Sequence, residues 1–182
     1  KEQQIKYNKL LSDVIFKLAE FDYYGVIEGK PNLYDGIRGF IVSGFVGNPN
    51  AMYKLYIVLE LDIIAFYYKK LQESLLNKDD PLLHFILVKN NFCNNFYFED
   101  KYEKQTLANL FLYTSSLHKI PSAINTMGNK YKKGYGFEKS CENSIEYFRE
   151  QSYATVEEHY KINKPQFLEK TNIASSEYVG LK

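Results

Sequence analysis

Apolar residues recur along this chain at helical spacing, and strand-like alternation is scarce. From Leu10 to Phe21 the positions Leu10, Leu11, Val14, Ile15, Leu18 and Phe21 follow the i, i+3, i+4, i+7 rhythm, which predicts a first helix that buries this face. Pro31 suits the first turn of a second helix, continued by Tyr34, Ile37, Ile41 and Val42 up to the turn cluster GNPN at 47–50. Ala51, Leu55, Val58 and Leu59 open a third. No strong breaker separates it from Ile64, Phe66, Tyr67, Leu71 and Leu75, so one long helix and two jointed helices both fit.

After the stop NKDDP at 77–81, Leu82, Phe85, Ile86 and Val88 predict a short helix, and NNFCNNFYFED at 90–100 reads as a polar and aromatic loop. Helical spacing returns from about Tyr102 through Leu107, Leu110, Phe111 and Leu117 and stops near Pro121. Ala123, Met127 and Tyr131 then lie four apart on one face. The spacing predicts helices over 121–133 and 139–158, with Gly134 as a left-handed cap and Ser140 as the N-cap of the last one, which carries Ile145, Phe148 and Val156. The expected fold is all-α, about seven to nine helices in antiparallel pairs. Its last pair is expected to bury Ala123, Met127, Tyr131, Ile145 and Phe148.

Composition narrows the function classes. The 182 residues suffice for one domain or one short repeat array, and 23 Lys+Arg against 22 Asp+Glu leave a net charge of +1. Such a balance gives no electrostatic footprint for nucleic acid or an anionic membrane. The abundance of Lys, Asn and Tyr fits an A/T-rich genome, which removes functional weight from any one of them. The chain opens at Lys1 without a charged and then apolar leader and holds no apolar run of about 20 residues, as expected of an excised soluble segment.

One stretch argues against this picture. KKGYGFEKSCE at 132–142 contains KGYGF, close to the strand signature of an RNA-recognition motif, in which aromatics stack on bases. On a strand, Lys133, Tyr135 and Phe137 would face the RNA, leaving Gly134, Gly136, Glu138 and Ser140 to face the core. That inner face has nothing apolar to bury and carries a carboxylate where an aliphatic side chain belongs. The helix, turn, helix reading is therefore preferred, and RNA binding is kept as a remote alternative.

The residues offer little for catalysis. His84, His118 and His159 stand apart from one another and from Cys93 and Cys141, without zinc-ligand spacing. Asp79 and Asp80 before Pro81 read as a helix start, and Glu99, Asp100, Lys101 and Glu103 as a solvated loop and helix start. Tyr67, Tyr68, Tyr147 and Phe148 read as packing. No phosphate-binding loop, nucleophile elbow or Cys-His pair is present, so no enzyme activity and no cofactor or metal is expected.

Residues 121–152, PSAINTMGNKYKKGYGFEKSCENSIEYFREQS, resemble the Sel-one-like repeat, a relative of the tetratricopeptide repeat. The matching frame is Ala123, Met127, Gly128, Tyr131, Gly134, Gly136 and Phe137, then Ser144, Ile145, Tyr147 and Phe148. In it, small residues let helices approach while larger ones fill the space between repeats. KSCENSIEYFRE and the preceding ANLFLYTSSLHKIPSA are further similar to the lumenal adaptor family of the ubiquitin ligases used in endoplasmic-reticulum-associated degradation.

The resemblance implies an α-α superhelix, a tetratricopeptide-like solenoid, over residues 1–160, degenerate before about 105, with 161–182 as a nonhelical linker or tail. In the degenerate part NAMYKLYIVL at 50–59 is helix-A-like and AFYYKKLQES at 65–74 helix-B-like, without the glycine turn between them.

It also implies a scaffold in the endoplasmic-reticulum lumen whose partners are a ubiquitin ligase subunit and misfolded clients or a lectin. A generic Sel-one-like scaffold in another compartment is the alternative. By analogy with tetratricopeptide arrays, whose first helices line the groove, Tyr53, His84, Asn125 and Lys132 are candidate partner contacts. No Asn-x-Ser/Thr sequon occurs, a departure from many lumenal proteins. An oxidising lumen permits a Cys93 to Cys141 disulfide. Neighbouring repeats, however, place helices about 8–10 Å apart, beyond the roughly 7 Å between Cα atoms that a disulfide spans. Free thiols are therefore expected, with Cys141 buried at the start of the last helix.

Overall fold

A computed structural model describes residues 2–61, 63 and 101–162, and every regular element among them is a helix. These are α1 (Glu2–Tyr24), α2 (Leu33–Val46), α3 (Pro49–Glu60), α4 (Lys101–Leu117), α5 (Pro121–Lys133) and α6 (Cys141–Ile162). The expectations for the short helix at Leu82 to Val88, the run at 65–74, the loop at 90–100, His84, Cys93 and the tail from 163 onward lie outside the described residues.

Local chemistry sets the helix ends. The Asn32 side chain accepts the Asp35 N–H at 3.3 Å and starts α2, so Pro31 lies just before the helix. Asn48 caps α3 in the same way through the Ala51 N–H at 3.0 Å, with Pro49 in the first turn, where its missing donor costs nothing. Helix α3 stops at Glu60, and the Leu61 N–H bonds back to the Ile57 carbonyl. Gly134 ends α5 at φ 77, donating its N–H to the Lys130 carbonyl, and Ser140 Oγ accepts the Asn143 N–H at 3.2 Å at the start of α6.

The helices form three antiparallel pairs. In the first, Ser43 Oγ donates to the Ser12 carbonyl at 2.7 Å while Gly39 faces Ala19 and Gly36 faces Tyr23, so the contacts run in opposite chain directions. In the last, Ser144 Oγ donates to the Gly128 carbonyl at 2.9 Å and the Ser140 N–H to the Tyr131 carbonyl at 3.1 Å. The middle pair is α3 with α4: Ser115 Oγ donates to the Pro49 carbonyl at 2.8 Å, and Gln105 Nε2 to Glu60 Oε2 at 3.2 Å. Among the described residues the helix paired with α3 is Lys101–Leu117; the helix-B-like run at 65–74 lies outside them.

Contacts between pairs keep one order. Asn48 Nδ2 donates to Asp13 Oδ1 at 2.8 Å and Lys54 Nζ lies 3.6 Å from Glu20 Oε1, which places α1 and α3 parallel. Tyr53 and Thr126 share a hydroxyl hydrogen bond at 3.2 Å and Lys130 Nζ lies 3.1 Å from Glu60 Oε1, which places α3 parallel to α5. Phe45 meets Phe111 edge-on at 6.2 Å between α2 and α4. A single apolar cluster runs through all three pairs, from Phe16 through Ile37, Phe40, Leu55 and Leu112 to Met127. Each such large side chain contributes about 1.5–3 kcal/mol by leaving water.

Five expectations are corrected. Helix α1 buries Ser12, Phe16 and Ala19, whereas Leu10, Leu11, Val14, Leu18 and Phe21 point outward. The inward face was selected by the glycines of α2. A Cβ on Gly39 would come within 2.5 Å of the Ala19 Cβ, an approach that the aliphatic stripe could not permit. In α4 the buried side is Ala108, Phe111, Leu112, Ser115 and Ser116, while Leu110 and Leu117 are exposed.

Ile145 is 64 % exposed, because α6 turns Ser144, Tyr147 and Phe148 toward its neighbours and Ile145 lies about 100° away from Ser144. Cys141 is a free and exposed thiol rather than a buried one, because it occupies the first turn of α6 on the outer side. Helix α6 also extends two residues past the expected start of the tail.

Candidate functional site: a groove between the first helices

The parallel run of α1, α3 and α5 leaves a hollow of about 380 Å³ beside the start of α5. Asp13, Phe16, Lys17 and Glu20 of α1 form one wall, at helical spacing. Asn48, Asn50, Tyr53 and Lys54 form the other, and Ile120 and Ser122 close one end.

The charges inside are already balanced. Lys17 Nζ donates to Glu20 Oε2 at 2.8 Å, Lys54 Nζ lies near Glu20 and donates to the Tyr24 hydroxyl at 2.7 Å, and Asn48 engages Asp13. Tyr53 stacks on Tyr56 at 5.9 Å while its hydroxyl is held by Thr126, which fixes the ring as a rigid wall. Such a site selects no single sign of charge. It presents amide, hydroxyl and paired ionic groups around two aromatic rings, the chemistry that holds an extended polypeptide by hydrogen bonds and ring contacts.

Next to the groove a buried cation locks α3, α4 and α5 together. Lys130 is only 5 % exposed, and its Nζ reaches Glu60 Oε1 at 3.1 Å and Asn109 Oδ1 at 3.2 Å and lies 5.1 Å over the Tyr56 ring. Burial, then the Glu60 carboxylate and then Tyr53, push the Tyr56 phenol well above its ordinary value. Asn109 Nδ2 donates in turn to the Gly136 carbonyl at 3.2 Å, which pins the turn after α5.

That turn is KGYGF. With Gly134 and Gly136 both at positive φ it is a loop between helices, not a strand. Phe137 packs on Tyr131 at 5.1 Å while Lys133 and Tyr135 are exposed, so the three side chains share no common platform.

A second hollow, about 390 Å³, lies between α4, α5 and α6, where Tyr113, Tyr131 and Tyr147 meet Glu146 and Glu150. Burial raises the Tyr147 phenol, a hydrogen bond with Ser116 opposes this, and Tyr131, Tyr113 and Glu150 add to the rise. Among the described residues no group of three or more His, Cys, Asp or Glu side chains could hold a metal ion, and no helix is long and apolar enough to cross a membrane.

No protein-family model, curated protein or solved structure matches the chain. The reading of the site therefore rests on its geometry. Of the four candidate contacts, Tyr53 lines the groove. Asn125 and Lys132 are exposed on α5, seven positions and so about two turns apart, and neither borders the hollow. The repeat-frame residues Ala123, Met127 and Gly128 are buried. Tyr131, Tyr147 and Phe148 are half-buried around them, and Ser144 is bonded to Gly128.

Asp13, Lys17, Glu20, Asn48 and Lys54 are among the groove residues that sequence reasoning passed over. Asp13, Lys17 and Glu20 already lie at i, i+4, i+7 in the sequence, a charged stripe hidden beside the more conspicuous aliphatic one.

Proposed function

We propose that the protein is a non-catalytic scaffold of stacked helix pairs, a short Sel-one-like solenoid, that holds a protein partner along the groove of its first helices. The observation that carries this reading is the parallel placement of α1, α3 and α5, joined by Asn48 to Asp13, Lys54 to Glu20 and Tyr53 to Thr126. In repeat arrays, first helices aligned in this way line the surface that recruits partners, and this analogy supports the reading.

The sequence resemblance supports a more specific role. In it the chain lies in the endoplasmic-reticulum lumen and brings misfolded clients or a lectin to a membrane-bound ubiquitin ligase.

The test is co-purification of a tagged, lumen-directed chain with a membrane ubiquitin ligase subunit, alongside the groove variant Tyr53→Asp/Lys54→Glu. Recovery of the subunit by the wild type and its loss from the folded variant are expected. Equal recovery by both removes the groove from the account, and recovery by neither removes the ligase while leaving another scaffold role to be sought in another compartment.

A further inference from the structure

The hollow between α4, α5 and α6 carries one sign of charge where the groove carries both. Glu146 and Glu150 line it with Tyr113, Tyr131 and Tyr147, and no Lys or Arg of the described residues is among its lining. The two hollows share no lining residue, so this site does not depend on the groove. We propose that it takes a guanidinium group, that of an arginine side chain on a polypeptide partner.

Helical spacing builds the site. Asn143, Glu146, Tyr147 and Glu150 fall at i, i+3, i+4 and i+7 on α6, and Tyr113, Ser116 and Leu117 at i, i+3 and i+4 on α4. The rings are held in place by the fold itself. Tyr147 stacks on Tyr131 at 5.7 Å, Tyr131 is backed by Phe137 at 5.1 Å, and the Tyr147 hydroxyl is hydrogen-bonded with Ser116. Ser116 is 4 % exposed and its Oγ donates to the Tyr113 carbonyl at 2.7 Å, which fixes that anchor. Burial above all keeps the proton on Tyr147, so it presents a neutral ring and not a phenolate.

Both carboxylates have outward partners that a ligand can displace. Glu150 lies 3.7 Å from Lys119 Nζ and Glu146 3.8 Å from Arg149 Nη2, beyond ordinary hydrogen-bond length, and these cationic side chains are 78 % and 62 % exposed. Such pairs contribute little in water. Among cations, a guanidinium suits the lining best. Its planar face stacks on phenol rings while its edge N–H groups reach carboxylates, and it sheds water more readily than an ammonium. Glu146 and Glu150 stand about 6 Å apart along α6, so both can meet one planar group. A metal ion lacks donors here, since among the described residues no group of three His, Cys, Asp or Glu could hold one. At about 390 Å³ the hollow also has room for the stem of the side chain, and Leu117, 62 % exposed, offers that stem an apolar contact.

NMR titration of the full chain carrying isotope-labelled tyrosine tests this, with acetyl-Gly-Arg-Gly-amide, its lysine and citrulline counterparts, and free arginine as probes. The arginine peptide is expected to shift the ring signals of Tyr113, Tyr131 and Tyr147 with a Kd of about 1 mM. Citrulline keeps the shape without the charge and should bind roughly tenfold more weakly, with lysine in between. Glu146→Gln with Glu150→Gln should weaken the arginine peptide roughly tenfold, and Tyr113→Leu about threefold. Tyr113 is half-exposed, so its variant keeps the test open if the paired one misfolds.

The absence of saturable ring shifts at about 20 mM peptide overturns the proposal. So does citrulline or lysine binding as tightly as arginine, or an affinity unchanged in the variants. Free arginine binding more tightly than the capped peptide overturns the polypeptide source and gives the site to a small guanidinium compound.

Discussion

The first and last helix pairs are both closed by a glycine, but against surfaces of different stiffness. At Gly39 the opposing atom is the Ala19 Cβ, attached directly to backbone, and a Cβ there would sit 2.5 Å away. At Gly128 it is the edge of the Phe148 ring, at 2.8 Å, the far end of a half-exposed side chain that can swing. The first contact is a rigid backbone approach and the second an adjustable one. The helical fold is therefore stiff where α1 joins α2 and more forgiving where α5 joins α6.

The largest expected effect probes the core beneath the forgiving end. Met127 is fully buried beside Ala123 and Ile124, so Met127→Ala should cost about 3 kcal/mol, read by urea denaturation. Ile145→Ala, on the outer side of the adjoining helix, should stay within about 0.5 kcal/mol. Similar costs at the two sites would restore Ile145 to the core and break the packing described for α6.

The next effect sharpens the comparison itself. Alanine is favoured over glycine in a helix by about 1 kcal/mol, and overpacking costs about 1–3 kcal/mol. At Gly39 the clash should win, with a net loss of about 2 kcal/mol. At Gly128 the ring can yield, and Gly128→Ala should fall within about 1 kcal/mol of the wild type. The reverse order in thermal melts would mean that the stiff contact is at the other end.

These contrasts also explain what could be read from the sequence. Gly134, Ser140, Ala123 and Met127 were legible because caps and helical spacing are local, and their partners lie within one turn and its flanking helices. The inward face of α1 was not, because Leu10, Val14 and Leu18 outweigh Phe16 and Ala19 in any count of apolar residues. The choice was made by Gly36 and Gly39 on another helix. A signal existed there: Gly36, Gly39 and Ser43 set small residues along the side of α2 that meets α1.

The pairing of α3 with α4 was hidden for a similar reason. Residues 61–100 separate them in sequence, and spacing cannot say which helix returns to which. Of the groove, Tyr53 was found through analogy with other arrays, while its charged wall needed α1 and α3 side by side to be seen.

The smallest expected effect lies at high pH, in the lock between the two regions. Burial first, and Glu60 and Tyr53 next, hold the Tyr56 phenol above its ordinary value near 10, and Tyr147 is shifted in the same direction, mainly by burial. The native state thus holds these protons more tightly than the unfolded chain does. This contribution to stability is complete below about pH 10 and is lost as the pH rises further. The melting temperature should decline between about pH 10 and 12, and Tyr56→Phe should flatten the decline. An identical slope in that variant would detach Tyr56 from the effect.

The pairing of α3 with α4 joins the two regions, and it can be measured by cross-linking. With Cys93 and Cys141 replaced by serine, the pair Glu60→Cys and Gln105→Cys should be joined within one molecule by a short bis-maleimide, since the native side chains meet at their tips, 3.2 Å apart, and a bridging linker replaces the length that cysteine lacks. A tryptic map should then join the end of α3 to the start of α4. A pair that stays unlinked in folded protein would contradict the arrangement.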